Sequence, residues 1–192
     1  ASYTFQVNQS QNSLAPEIRL RQGDAFIPTA IGLFVGKVAS TTPTDAQLST
    51  IVKRTFPNPT VFTGTNEATN LEVLYNSKIQ IQVNSVNLVE SLYTTRFKNV
   101  GIAQQGLAVS TAATNNTYGA DQYDGDTYGM THFPQAINFN GIQNNIVNLI
   151  LPTSVNCSGT SSTNYAIIVF KGIQVINGSG SVTDASIAAF NR

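Results

Sequence analysis

Charge is what this chain has least of: 10% of its 192 residues are charged, against roughly 25% in ordinary soluble domains. Ten Lys and Arg balance ten Asp and Glu, so the formal net charge is zero. No basic arm is present, and Arg19, Arg21, Lys53, Arg54, Arg96 and Lys98 fall in pairs rather than along a stripe. That composition excludes the electrostatic footprint on which sequence-independent nucleic-acid binding and attachment to anionic membranes rest. Reactive side chains are also scarce, with one His, one Cys and no Trp. A zinc site needs three or four His, Cys or carboxylate ligands at usable spacing, and the chain does not supply them. Cys157 has no partner for an intramolecular disulfide, and its surroundings, VNCSGTSS, read as a polar turn rather than an electropositive pocket that would lower a thiol pKa. No apolar run reaches the roughly 18 residues of a membrane span; residues 25–38, the longest lightly polar stretch, are interrupted by Pro28. The N-terminus, ASYTFQVNQS, lacks a signal-peptide pattern and opens on Ala, as after removal of an initiator Met. These absences lead us to expect no catalysis, no cofactor and no resident metal.

Uncharged polar residues fill the place of the missing charge. Asn, Thr, Ser and Gln occupy roughly 70 positions, far above ordinary usage. About 20 Asn among so many Ser and Thr produce four N-x-S/T sequons, at Asn8, Asn115, Asn156 and Asn177, which carry no information about secretion. Apolar residues still make up 41% of the chain, enough for a core, and the length suits one domain, 1–192.

Tyr3, Phe5 and Val7 alternate with Thr4, Gln6 and Asn8, the period of a strand with one buried face. A second strand is expected near residues 17–21, followed by a Gln22-Gly23-Asp24 turn. Residues 25–38 form a long apolar segment in which Pro28 must sit at an edge or bulge and Ala30, Gly32 and Gly36 mark bends or close approaches. Thr44 with Gln47 three residues on is a capping box for a short helix that Phe56-Pro57-Asn58-Pro59 stops. Residues 71–83 predict a hairpin turning at Asn76-Ser77, and residues 86–97 predict extended structure with a turn. Further strands are expected at 136–139, 146–151 and 165–175; YAIIVF in the last is apolar on both faces and suits a central position, with Gly172 as a bulge. Thr183 caps a closing helix. Nine or ten short strands and at most two short helices argue for an all-β protein, an antiparallel β-sandwich, with a single jelly roll preferred over immunoglobulin-like or lectin-like alternatives.

The densest polar chemistry lies in loop 115–133. Asp121, Asp124 and Asp126 offer hard oxygen ligands of the kind calcium takes, but their spacing is not an EF-hand, and a solvated loop tip with Asp and Gly chosen for turn geometry is the preferred reading over a calcium site. His132 has no nucleophile beside it in the loop and reads as an orienting or structural residue. Tyr118, Tyr123 and Tyr128, five residues apart, could stack on sugars, dock on a protein or cover the sandwich edge.

The order EIRLRQGDAFIPTAIGLFVGK, LEVLYNSKIQIQVN, TTRFKNVG and INFNGIQNNIVNLILP before a final hydrophobic strand resembles jelly-roll major capsid proteins of tailless icosahedral bacteriophages. The resemblance rests on segment order and on the Asn- and Thr-rich, low-charge character rather than on a diagnostic motif. Two departures stand beside it: the length fits one barrel rather than two, and there is no basic arm. It implies a self-assembling subunit located in the virion, whose partners are copies of itself and other virion proteins. Physical reasoning agrees, since a surface of amides and hydroxyls can bond to water before assembly and to neighbours afterwards without burying unpaired ions. The alternative is a β-sandwich adhesin or carbohydrate-binding module that uses the 115–133 Tyr/Asp loop.

Overall fold

The computed structural model describes residues 1–8, 20–55, 67–98, 129–133, 136–156 and 161–180. In chain order these form β1 (Ser2–Gln6), β2 (Ala25–Val38), α1 (Asp45–Ser49), α2 (Glu67–Tyr75), β3 (Lys78–Val83), β4 (Val86–Tyr93), a 3-10 turn (Thr94–Phe97), β5 (Met130–His132), β6 (Phe139–Asn140), β7 (Asn145–Ile150) and β8 (Thr163–Val175). Loop 115–128, Cys157, the expected strand up to Arg19, the Phe56–Pro59 stop and the Thr183 helix lie outside the described residues.

All the strand pairs are antiparallel and they make two sheets. The first has the order β1-β7-β3-β4; in the second, β2 lies between β8 and a broken partner made of β5 and β6. Alternation along β3 and β7 buries Ile79, Ile81 and Val83 together with Val147 and Leu149. These face Ile31, Leu33 and Val35 of β2, and Phe139 adds to the same cluster. The chain is therefore a sandwich-like all-β protein with one apolar core between two sheets.

β2 is buried nearly throughout because it is bonded on both edges. β8 follows it over 13 residue pairs, while β6, the Phe133 N–H on the Thr29 carbonyl (3.0 Å), β5 and a two-bond bridge to Arg54 take the other side. Pro28 cannot donate to such a ladder, and the register shifts between Pro28 and Ala30, leaving Thr29 as the extra residue of a bulge. Gly172 is opposite Pro28 rather than being the bulge itself, and a Cβ there would strike the Ile27 carbonyl.

Other expectations need correction too: the strand expected at 136–139 is present only as Phe139–Asn140. β8 pairs only with β2 among the described residues, so YAIIVF does not form a central strand; β2 does. Val169, Ile167 and Tyr165 lie opposite Gly32, Phe34 and Gly36, and the space above the two glycines is taken by Met130, the Phe34 ring and Ile51. Residues 71–75 belong to helix α2, and the hairpin turns instead at Asn84-Ser85, whose positive φ values of 49° and 67° suit a tight reversal between twisted strands. Leu71, Leu74 and Tyr75 are all buried, at helical i, i+3, i+4 spacing. Residues 86–97 do form a strand and a turn, and the Thr44 capping box is present, with the Thr44 N–H on Gln47 Oε1 (3.0 Å) and the Gln47 N–H on Thr44 Oγ1 (3.4 Å). That helix stops at Ser49, before the prolines, where the Ser49 and Thr50 hydroxyls donate to the Ala46 carbonyl. No helix among the described residues is long and apolar enough to cross a membrane.

Thr94, fully buried, holds α2 to the hairpin. Its hydroxyl accepts from the Ser77 N–H (2.9 Å) and lies 2.8 Å from the Leu74 carbonyl and 3.0 Å from the Ser77 carbonyl, which share its single proton. The Leu74 carbonyl is one of the groups a helix end leaves without an intrahelical partner. Thr94→Val keeps the shape and leaves the Ser77 carbonyl its bond from the Thr94 N–H (2.9 Å) but takes the hydroxyl from the Leu74 carbonyl and the Ser77 N–H, so the unfolding free energy should fall by about 2 kcal/mol in urea titration.

Burial pushes the Tyr75 hydroxyl, 3.4 Å from the Leu33 carbonyl, well above its ordinary pKa of 10.0. A raised acid pKa means that the folded state holds its proton longer than the unfolded chain. The Tyr75 contribution is thus complete below pH 10 and is lost as pH rises beyond it. Between about pH 10 and 12 the Tm of the protein should drop more steeply than that of Tyr75→Phe; parallel curves would show that Tyr75 does not govern the alkaline limb.

Candidate functional site

At the end of the sandwich where β2 begins, neutral amides replace apolar side chains. Asn145 opens β7 on its inward face and is fully buried. Its Nδ2 faces Asn8 Oδ1 (3.0 Å), the Asn140 carbonyl (2.7 Å) and the Gln143 carbonyl (3.2 Å), and its backbone N–H donates to Asn8 Oδ1 as well (3.1 Å). Asn8 Nδ2 in turn donates to the Gly141 carbonyl (2.9 Å). One side chain thereby ties the segment that follows β1 to β6 of the other sheet. The Asn8 sequon is occupied by this network and is structural.

Asp24 is the second anchor, 4% exposed and without a cationic partner among the described contacts. Its Oδ2 accepts from Gln174 Nε2 (2.9 Å) and its Oδ1 from the Asn177 N–H (3.0 Å), while its backbone carbonyl takes the Gly141 N–H (2.8 Å). Ser179 N–H donates to the Gly23 carbonyl (3.0 Å), and Asn140 Nδ2 donates to the Ser179 carbonyl. A Cβ on Gly141 would run into the Arg21 carbonyl, so only glycine allows the 141–144 turn to come this close. The expected Gln22-Gly23-Asp24 turn is thus present, and its carboxylate fixes the end of β8 and the turn after it.

What this rigid frame displays is apolar. Ile142, Ile173 and Ile176 are 65%, 52% and 75% exposed, all on segments tied to Asp24 or Asn140. Along β8, Lys171, Gly172, Ile173 and Gln174 are exposed in succession. The opposite edge of the molecule is built differently. β4 carries two register irregularities against β3 as well as Glu90, and bulges and charge are devices by which an edge strand resists pairing with another chain.

The residues singled out from sequence do not assemble around this end. Asp121, Asp124, Asp126, Tyr118, Tyr123 and Tyr128 lie outside the described residues. His132 is exposed on β5, paired with Ala30. Lys98 forms a two-oxygen ion pair with Glu72 (2.7 and 2.8 Å), Arg54 bridges β2 through its backbone and Arg96 sits in the 3-10 turn, so these basic residues occupy separate elements. Among the described residues no three His, Cys, Asp or Glu side chains group as metal ligands. Comparison with protein-family models, with curated proteins and with solved structures finds no match to this chain.

Asp24→Ala should release the 176–180 turn, speeding amide hydrogen exchange at Asn177 and Ser179 and lowering stability by about 2–3 kcal/mol, the usual scale for hydrogen bonds to a charged acceptor. Unchanged exchange at those two amides would remove Asp24 as the anchor.

Proposed function

We propose that this chain is a non-catalytic structural subunit that assembles with copies of itself, folded as a single jelly roll and located in a virion. The observation that carries the reading is the Asp24-fixed end, where three exposed isoleucines stand on a rigid frame in a chain with 10% charged residues. Exposed apolar groups held in one geometry gain affinity because little freedom is lost on contact, and covering an isoleucine fully is worth about 1.5–3 kcal/mol. An isologous or ring-forming contact repeats that gain at every interface. The strand pairing supports the jelly roll: β2 with β8 in one sheet and β3 with β7 in the other are nested pairs, as in the outer turns of a rolled hairpin. Two pairings differ from a simple roll, since β2 has β5 and β6 on its second edge and β4 returns directly onto β3.

Mass photometry and light scattering over a concentration series should show closed oligomers of defined size. Because the contact is apolar and neutral, they should persist in about 1 M salt, where the Debye length is only about 3 Å. Replacing Ile173 and Ile176 by Asp should return the protein to monomer without unfolding it. A wild-type chain that stays strictly monomeric at every concentration and salt would sink the proposal.

A further inference from the structure

The outer face of the four-stranded sheet carries a surface of different chemistry. Alternation along β1, β7 and β3 sends Thr4, Asn148 and Gln80 to the side away from the core, and the register places them in one row. Thr4 Oγ1 donates to Asn148 Oδ1 (2.9 Å), Asn148 Nδ2 donates to Gln80 Oε1 (3.3 Å), and Gln82 Nε2 from the next row donates to the same oxygen (3.3 Å). The donors run in one direction across the sheet and converge on Gln80. Its carbonyl is held by two bonds, while its own Nε2 makes none to the described residues. The amide is therefore oriented before any partner arrives, with two N–H groups to offer.

The surroundings of the row are equally specific. On β7, half-buried Ile146 and Ile150 flank Asn148. Tyr93 stands opposite Lys78 in the neighbouring row and is 63% exposed. β4 places two residues, Glu90 and Ser91, opposite Gln80, since Val89 pairs with Ile81 and Leu92 with Ile79. Bulges of this kind re-aim side chains beside binding sites. Lys78, at the start of β3, and Glu90, on the edge strand, are the only charged residues of this sheet.

We infer that this face binds a neutral polysaccharide, its row of amides and hydroxyl bonding to sugar hydroxyls and Tyr93 stacking on a ring. A sugar hydroxyl both donates and accepts, which matches side chains that do the same. The C–H faces of a sugar match exposed aromatic and half-buried aliphatic surface. An ionic polymer would find almost no opposite charge here, and an apolar partner would strip water from four amides and hydroxyls with nothing in return. A row of oriented groups that crosses three neighbouring strands suits an extended chain of repeating units. None of these residues belongs to segment 115–133, and the inference does not rest on the assembly reading.

Affinity electrophoresis of the full chain through gels containing dextran, mannan, galactan or xyloglucan tests it, with heparin as the charged control. At least one neutral polymer should retard the protein and heparin should not. Gln80→Ala and Tyr93→Ala should each weaken the retardation about tenfold, with the oligomeric state measured by mass photometry unchanged. Gln80→Met, which keeps chain length and removes only the amide, should behave like Gln80→Ala and separates lost bonding from lost packing. Passage at the same rate through all four neutral gels would overturn the inference, as would retardation that survives both substitutions. If the variants instead dissociate the oligomer and leave retardation intact, the face is a contact between copies and the inference fails while the assembly reading stands.

Discussion

A sandwich has to be closed at its ends, and here one side-chain amide does much of that. Asn145 lies where the inward face of β7 runs out of apolar neighbours, and three oxygens converge on its nitrogen. An ionised side chain in that position would need a buried counter-charge. An apolar one would take the amide donor from the Gln143 carbonyl and leave the Asn140 carbonyl only the Gln143 N–H. A neutral amide satisfies both conditions. Its bonds bring Asn140 beside the start of β2, which sets the position of Gly141 against Arg21 and Asp24, and through them the last turn of the described chain. Among the described residues buried at this end, Asn140 and Asn145 are neutral amides and Asp24 is the acidic one.

Local signals were legible in the sequence wherever the chemistry is local. Thr44 and Gln47 cap each other within one turn, and Pro28 announces a broken ladder because its nitrogen has no hydrogen to give. The signal failed where two periodicities fit the same few residues. Leu71, Val73 and Tyr75 alternate like a strand, while Leu71, Leu74 and Tyr75 repeat like a helix; the choice is made by Thr94 at the Leu74 carbonyl and by Leu33 at the Tyr75 hydroxyl, both far along the chain. β8 misled for a different reason: an apolar run does not say which of two paired strands is central, and that place belongs to β2, which is bonded on both edges. The candidate site was less legible still. Asp24 reads as an ordinary turn residue, and Ile173 as strand interior, until the fold shows one buried and the other exposed.

The two surfaces put forward for contact divide the molecule by chemistry. One end offers aliphatic side chains on a frame fixed by a carboxylate; the outer face of the other sheet offers oriented amides in a row. The first suits a partner that excludes water, the second a partner that resembles water in its bonding. A neutral chain can present both without long-range fields steering unrelated ions or polymers onto either.

The bulge at Thr29 also sets what kinds of change β2 can absorb. Before it, Phe26 packs on the core as an even-numbered residue; after it, Ile31, Leu33 and Val35 do so as odd-numbered ones. The strand is written in two phases, and the single extra residue is what keeps both in step with the same core. Exchanging one aliphatic side chain for another disturbs one contact. Removing one residue between Phe26 and Ile31 would turn half the strand inside out, so the fold tolerates a change of composition here far better than a change of length.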